Sequence, residues 1–191
     1  ANRVSNIIDI PIASAAAIVF PQSAKRSAEG GASASAYLYE KSVGVLLALL
    51  IPMLLFVFVF AEWIIIIIAG SAYLEAANIL RVIAVISLFQ PIIRQFGTMM
   101  DSIGRPRINF YLILIVSGLN ILLNYSMISM WGTIGAAYAT LTTIIVFSVI
   151  ALIILKKTIQ ITISHIFGYI PSSYGDIFGR IKQFLSDKKP K

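Results

Sequence analysis

Residues 108–155 read INFYLILIVSGLNILLNYSMISMWGTIGAAYATLTTIIVFSVIALIIL, 48 residues without one Asp, Glu, Lys or Arg. A helix needs about 20 residues to cross the roughly 30 Å hydrocarbon layer of a bilayer. The stretch is about twice that length, so it must fold back once. Trp131-Gly132-Thr133 is the expected turn, because Trp suits the membrane interface and Gly suits a helix end. This predicts two helices, over 108–130 and 133–155. The whole composition agrees: 59% of the 191 residues are hydrophobic and 12% are charged, against about a quarter charged in soluble domains. Most of the surface must face something other than water, which predicts an all-α, polytopic membrane protein.

Working outward, Val43 to Ala61 is uncharged and is followed by Glu62-Trp63 and the run Ile64–Ile68. One long helix over 42–69 is expected there, bent at Pro52, with Gly70-Ser71 as the next turn. A helix over 74–100 follows, closed by Asp101-Ser102-Ile103-Gly104. The first helix is expected over 4–22; it contains Asn6, Asp9 and Pro11, and Pro21 closes it. These five helices make a transmembrane bundle over 1–157. Residues 158–191 form a basic tail in which Ile177, Phe178, Ile181, Phe184 and Leu185 recur at helical spacing behind Asp176, a plausible N-cap. That pattern predicts an amphipathic helix on the inner leaflet.

The positive charges orient the bundle. Lys25, Arg26 and Lys41 lie between the first two helices, Arg105 and Arg107 after the third, and Lys156 and Lys157 after the fifth. The turns near 69–74 and 130–133 hold no Lys or Arg. Basic loops mark the cytoplasmic side, so five spans place the N-terminus outside and the C-terminus in the cytoplasm. The chain opens Ala1-Asn2-Arg3, without an initiator Met or a signal-peptide pattern. Together with the odd number of spans, this predicts a piece of a longer polypeptide.

Several functions are excluded or disfavoured by residue type. There is no cysteine, and the single histidine is His165, so thiolate and His-cluster metal sites are not expected. The net charge of +7 is spread over short clusters between apolar runs, not over one face, so nucleic acid is not an expected partner. No nucleophile elbow, phosphate-cradling glycine loop or two-His helix motif occurs. Neither an enzyme nor a cofactor is predicted.

The ionisable and polar residues within the spans are therefore the informative ones, because charges in hydrocarbon usually face a cavity or a partner. Arg94 shares a helix face with Gln90 by i,i+4 spacing. Two readings stand open: a cavity guanidinium holding a phosphate or diphosphate headgroup, or a side chain snorkelling to the inner headgroups. Arg81 lies nearer the outer end, where snorkelling or a salt bridge with Glu75 or Glu62 is expected. Asp9, three residues after Asn6, could pair with a cavity arginine, bind a coupling cation or sit in the outer interface. Ser117, Asn120 and Asn124 share one face and either bond a neighbouring helix or line a polar path. Small residues at 132, 136 and 140, and at 135 and 139, predict close helix contact.

Gly104-Arg105-Pro106-Arg107, Leu119-Asn120-Ile121-Leu122-Leu123-Asn124-Tyr125 and Gly132-Thr133-Ile134-Gly135-Ala136-Ala137-Tyr138-Ala139-Thr140 resemble the polysaccharide flippases of the multidrug/oligosaccharidyl-lipid/polysaccharide exporter superfamily. Phe20-Pro21-Gln22-Ser23 ahead of Lys25-Arg26, and Gly70-Ser71-Ala72-Tyr73 leading into Ile79-Leu80-Arg81, fit as well. The resemblance covers about residues 5–157, in the order of the second half of such proteins, and the segment from Gly132 to Thr140 is its most specific part. It implies two six-helix lobes around a cavity with alternating access, this chain supplying five helices of the C-terminal lobe. The implied substrate is a lipid-linked oligosaccharide or polysaccharide unit; the implied partners are membrane lipids and the N-terminal lobe of the same polypeptide. Arg94, Gln90, Asp9, Arg81, Asn120 and Asn124 are then the candidate substrate-binding residues. A drug/cation antiporter of the same superfamily, kept open by Asp9, and a non-transport assembly subunit are the alternatives.

Overall fold

The structure, a computed structural model, describes residues 33–172 and residue 174. It is a multi-pass helical membrane protein. Helix α1 covers Ser33–Val59, α2 Ala61–Ala69, α3 Ala76–Ser102, α4 Pro106–Trp131 and α5 Thr133–Ile159. A 3-10 turn, Ser71–Tyr73, joins α2 to α3, and a short helix α6 covers 163–172. Among the described residues, four helices are long and apolar enough to cross a membrane: α1, α3, α4 and α5. The helix expected over 4–22 and the amphipathic pattern from Asp176 to Leu185 lie outside the described residues.

The uncharged stretch folds back where the sequence directs. Gly132 ends α4 and precedes α5 with φ 62° and ψ −143°, a region that side chains other than hydrogen rarely enter. Three residues on, a Cβ at Gly135 would overlap the Met127 carbonyl oxygen, so the two helices meet backbone to backbone. Gly135, Ala139, Thr143, Phe147, Ala151, Leu155 and Ile159 make the buried line of α5, one residue in every four. This line lets α5 pack on both α3 and α4. Small side chains in such a line allow the close approach that holds helices together in lipid.

Helix α1 differs from its sequence expectation at both ends. It is already helical at Ser33, so Lys41 lies within it and not in a preceding loop. Its helical run is interrupted at Phe60, with φ −95° and ψ 17°, and is unbroken at Pro52. The ring of Pro52 removes the N–H that would bond the Ala48 carbonyl, yet the Tyr174 hydroxyl donates to that carbonyl at 2.5 Å. An unpaired carbonyl within the bilayer costs several kcal/mol; this replacement donor meets that cost, and the helical run continues unbroken past the proline. At Phe60 the backbone bonds continue on both sides, Phe60 N to Phe56 O and Ile64 N to Phe60 O, each 2.9 Å.

The core has two parts. Tyr39, Val43 and Leu47 of α1 pack with Phe96, Met99 and Met100 of α3 and Phe147, Ala151 and Leu155 of α5. Leu50, Leu54, Val57 and Ala61 pack with Ala77, Leu80 and Ala84. The first part lies at the end of the bundle that carries Arg105, Arg107, Lys156 and Lys157; the second lies at the α2 end. Helix α5 ends at Ile159, beyond its expected end at 155, and α6 lies against α1, with Ile166 in the first core.

Candidate functional site

Gln90 and Arg94 are half-buried, one turn apart on α3. Arg94 stands eight residues before Ser102, the last residue of α3, which is about 12 Å along the helix. Toward the basic end this face continues in polar groups. Thr98 donates its hydroxyl to the Arg94 carbonyl at 3.1 Å. Gly97 leaves room for Asn109 of α4, whose Nδ2 would lie 3.1 Å from a Cβ at that glycine. A charge, two amides and a hydroxyl thus gather along one side of an otherwise apolar span.

A second polar group joins α4 to α5. Asn120 Nδ2 donates to Thr143 Oγ1 at 3.1 Å, and the Thr143 hydroxyl in turn donates to the Ala139 carbonyl at 2.7 Å. Asn124 Nδ2 donates to Asn120 Oδ1 at 2.9 Å. Beside this chain lies an open cleft of about 360 Å³ whose polar lining is Ser117, Asn120, Thr140 and Thr143. Asn120 makes an interhelical bond and also lines this mainly apolar cleft, whereas Asn124, among the described residues, bonds only Asn120 on its own helix. Thr143 was not singled out by sequence; its four-residue spacing from Ala139 on the small-residue line was the available signal.

Arg81 stands apart, at the α2 end. Its Nη2 pairs with Glu62 at 2.7 Å, Nη1 donates to Asn78 Oδ1 at 3.1 Å, and Nε reaches the Phe58 carbonyl at 3.4 Å. All three contacts lie around the interruption at Phe60, so the guanidinium braces α2 against α3. Asp9 lies outside the described residues. The structure therefore brings Gln90 close to Arg94 and Asn120 close to Asn124, and leaves Arg81 at a separate place.

Sequence reasoning missed a buried carboxylate at the basic end. Glu40 is 4% exposed. Its Oε1 accepts the Thr162 backbone N–H at 2.6 Å, and its Oε2 lies 3.1 Å from His165 Nδ1. Next to it, Tyr37 and Tyr169 meet edge to face at 6.1 Å, and Lys41 Nζ donates to the Tyr37 hydroxyl at 3.2 Å. Burial first, then Tyr37 and Glu40, push the Tyr169 phenol above its ordinary value. Glu40, Tyr37, His165 and Tyr169 line a cleft of about 340 Å³. The charged pair Glu40-Lys41 resembles a loop in sequence; the Glu40, Gly44, Ala48 spacing of four was the missed sign of a helix face.

A family model, MatE, matches residues 4–126. The match includes Gln90, Arg94, Asn120 and Asn124 and stops short of Gly132–Thr140, the segment that carried the most specific resemblance. Two uncharacterized membrane proteins of Methanocaldococcus jannaschii are similar. MJ1375 is 32% identical over 96 residues, 46% of this chain and 23% of that protein. MJ1068 is 28% identical over 135 residues, 71% of this chain and 27% of that protein. The matched chain spans about a quarter of the length of these relatives. No solved structure matches significantly.

Proposed function

The chain belongs to the MatE family of membrane transporters, and we propose that it forms part of the C-terminal lobe of a flippase for lipid-linked oligosaccharide or polysaccharide repeat units. The basic end, with Lys41, Arg105, Arg107, Lys156 and Lys157, faces the cytoplasm of the cell, and the membrane is the cytoplasmic one. The observation that carries this reading is the pair Gln90 and Arg94, half-buried on one face of a membrane-spanning helix. A sugar–diphosphate head brings negative charge into a layer that solvates it poorly. An arginine offers a charged fork of donors that matches phosphate oxygens and keeps its proton when partly buried. About 12 Å from the basic end of α3, Arg94 meets a headgroup soon after it leaves the cytoplasm, while the polyprenyl tail stays in lipid. The N-terminal lobe of the same polypeptide closes the other side of the cavity, and alternating access carries the head across. No enzymatic step or cofactor enters this scheme.

The test is made in the whole protein. Arg94→Ala abolishes export at near-normal membrane abundance, and Arg94→Lys restores only part of it, because charge returns without the fork. Full export by the alanine variant at normal abundance removes Arg94 from the site. Glu40 favours a second reading, a drug/cation antiporter: a buried carboxylate is the group such a protein uses to hold a proton or metal cation. That reading requires Glu40→Gln to abolish cation-driven drug efflux.

A further inference from the structure

Two prolines fall at the seam between the two parts of the core. In α1 the carbonyl that Pro52 leaves without an N–H partner is that of Ala48, which lies between Leu47 of the basic-end core and Leu50 of the other. In α3, Pro91 is buried, and it lies between Leu88, packed on the α2-end core, and Phe96 of the basic-end core. Each proline removes one intrahelical bond and weakens its helix at that turn. Both helices that run through both cores are thus weakened where the cores part. Helix α5 is different: no proline interrupts Thr133–Ile159.

The segment after α5 lies along the basic-end half of α1 and reaches this seam at Tyr174. Gln160, in the left-handed region with φ 60° and ψ 41°, turns the chain out of α5. The segment is then fastened to one stripe of α1 at three successive turns. Glu40 takes the Thr162 N–H and faces His165. Gly44 is the gap into which the segment sinks: a Cβ there would lie 2.6 Å from Tyr169 Cβ and 2.8 Å from the Ile166 carbonyl. Ala48 gives its freed carbonyl to Tyr174 at 2.5 Å. The last contact supplies the donor that Pro52 lacks.

We propose that residues 162–172, together with Tyr174, are a latch on a two-helix hinge at Pro52 and Pro91. Docked on Glu40, Gly44 and Ala48, the latch gives the Ala48 carbonyl its donor and holds the two cores in line. Undocked, it leaves α1 short of one hydrogen bond within the bilayer, and the α2 half swings on the hinge relative to α4 and α5. The braced unit of α2 and the first half of α3, tied by Arg81 to Glu62, Asn78 and Phe58, moves as one body. The inference is independent of the transported substrate.

The chain has no cysteine, so a spin-label pair at Ile67→Cys on α2 and Ser129→Cys on α4 reads the swing in the whole protein, in nanodiscs, with any cysteine elsewhere replaced. Ile67 is 79% exposed and Ser129 is exposed, so neither label disturbs packing. Fifteen residues separate Pro52 from Ile67, about 22 Å of helix, and a proline kink of about 20° moves that end by up to about 8 Å. The wild type gives one dominant distance. Tyr174→Phe, which removes only the hydroxyl, adds a second population displaced by several ångströms. Adding Pro52→Ala restores an N–H to bond Ala48 and returns the distribution to one distance. An unchanged distribution in Tyr174→Phe overturns the latch, and a second population that survives Pro52→Ala overturns the hinge.

Discussion

Replacing Thr143 by valine removes one hydroxyl from the α4–α5 contact and almost nothing else. The two side chains have nearly the same shape, and Thr143 is 6% exposed, so no cavity opens. The loss is the chain of bonds in which Asn120 Nδ2 donates to Thr143 Oγ1 at 3.1 Å and Thr143 donates to Ala139 O at 2.7 Å. The Ala139 carbonyl keeps its place in the α5 helix, so the expected penalty is set by the Asn120 amide. Interhelical polar contacts in membranes average about 0.6 kcal/mol and reach about 1.7 kcal/mol. Asn120 is itself held by Asn124 at 2.9 Å and cannot turn freely to another partner, which places the cost in the upper half of that range, about 1–1.5 kcal/mol. The assay is reversible unfolding in mixed micelles by helical circular dichroism, with Asn120→Ala and the double variant completing a cycle. If the bond contributes as argued, the double variant is less destabilised than the sum of the singles by about 1 kcal/mol. A coupling of zero would show that the two side chains do not interact in the folded bundle.

Three further outcomes follow from the packing and the charge distribution. Gly135→Leu places a side chain into the Met127 carbonyl and should reduce folded protein in detergent by forcing α4 from α5; an unchanged melting profile would put that face toward lipid. Gly44→Val meets Tyr169 and the Ile166 carbonyl, so α6 should come away from α1 and its amides exchange faster with deuterium, while those of α4 keep their protection. For orientation, a cysteine at position 133, which is exposed, should react with an impermeant maleimide from outside the cell and one at position 105 should not. The reverse pattern would invert the proposed topology.

Much of the bundle is legible because the bilayer allows few solutions. Backbone groups in hydrocarbon must be bonded within the protein, and a lone uncharged run can do this as a helix, so its length counts the spans. The turn at Gly132 and the packing of Gly135 and Ala139 were readable for the same reason: a positive φ and a backbone contact both demand small residues. Helix α1 was less legible. Pro52 carries a general expectation of a bend, and that expectation assumes that nothing else satisfies the carbonyl four residues earlier. The donor, Tyr174, lies 126 positions away, beyond any local pattern. The interruption at Phe60 has no proline or glycine to announce it; Arg81, 21 positions later, braces it.

The polar sites divide along the same line. Asn120 and Asn124 share a face by helical periodicity alone, and Gln90 and Arg94 do so by one turn, so local geometry sufficed. Glu40 failed that approach, because a charge next to a charge at the edge of an apolar run normally marks the water boundary. The structure shows why the rule broke. The partners of Glu40 come from beyond the end of α5, where Thr162 offers an N–H outside the regular helix and His165 offers an imidazole nitrogen. A buried carboxylate is tolerable when such donors meet both oxygens. Its neighbours on the same stripe, Gly44 and Ala48, are small because a second segment has to lie against them. A carboxylate followed at four-residue intervals by glycine and alanine therefore marks a docking face, and a loop would have had no use for that spacing.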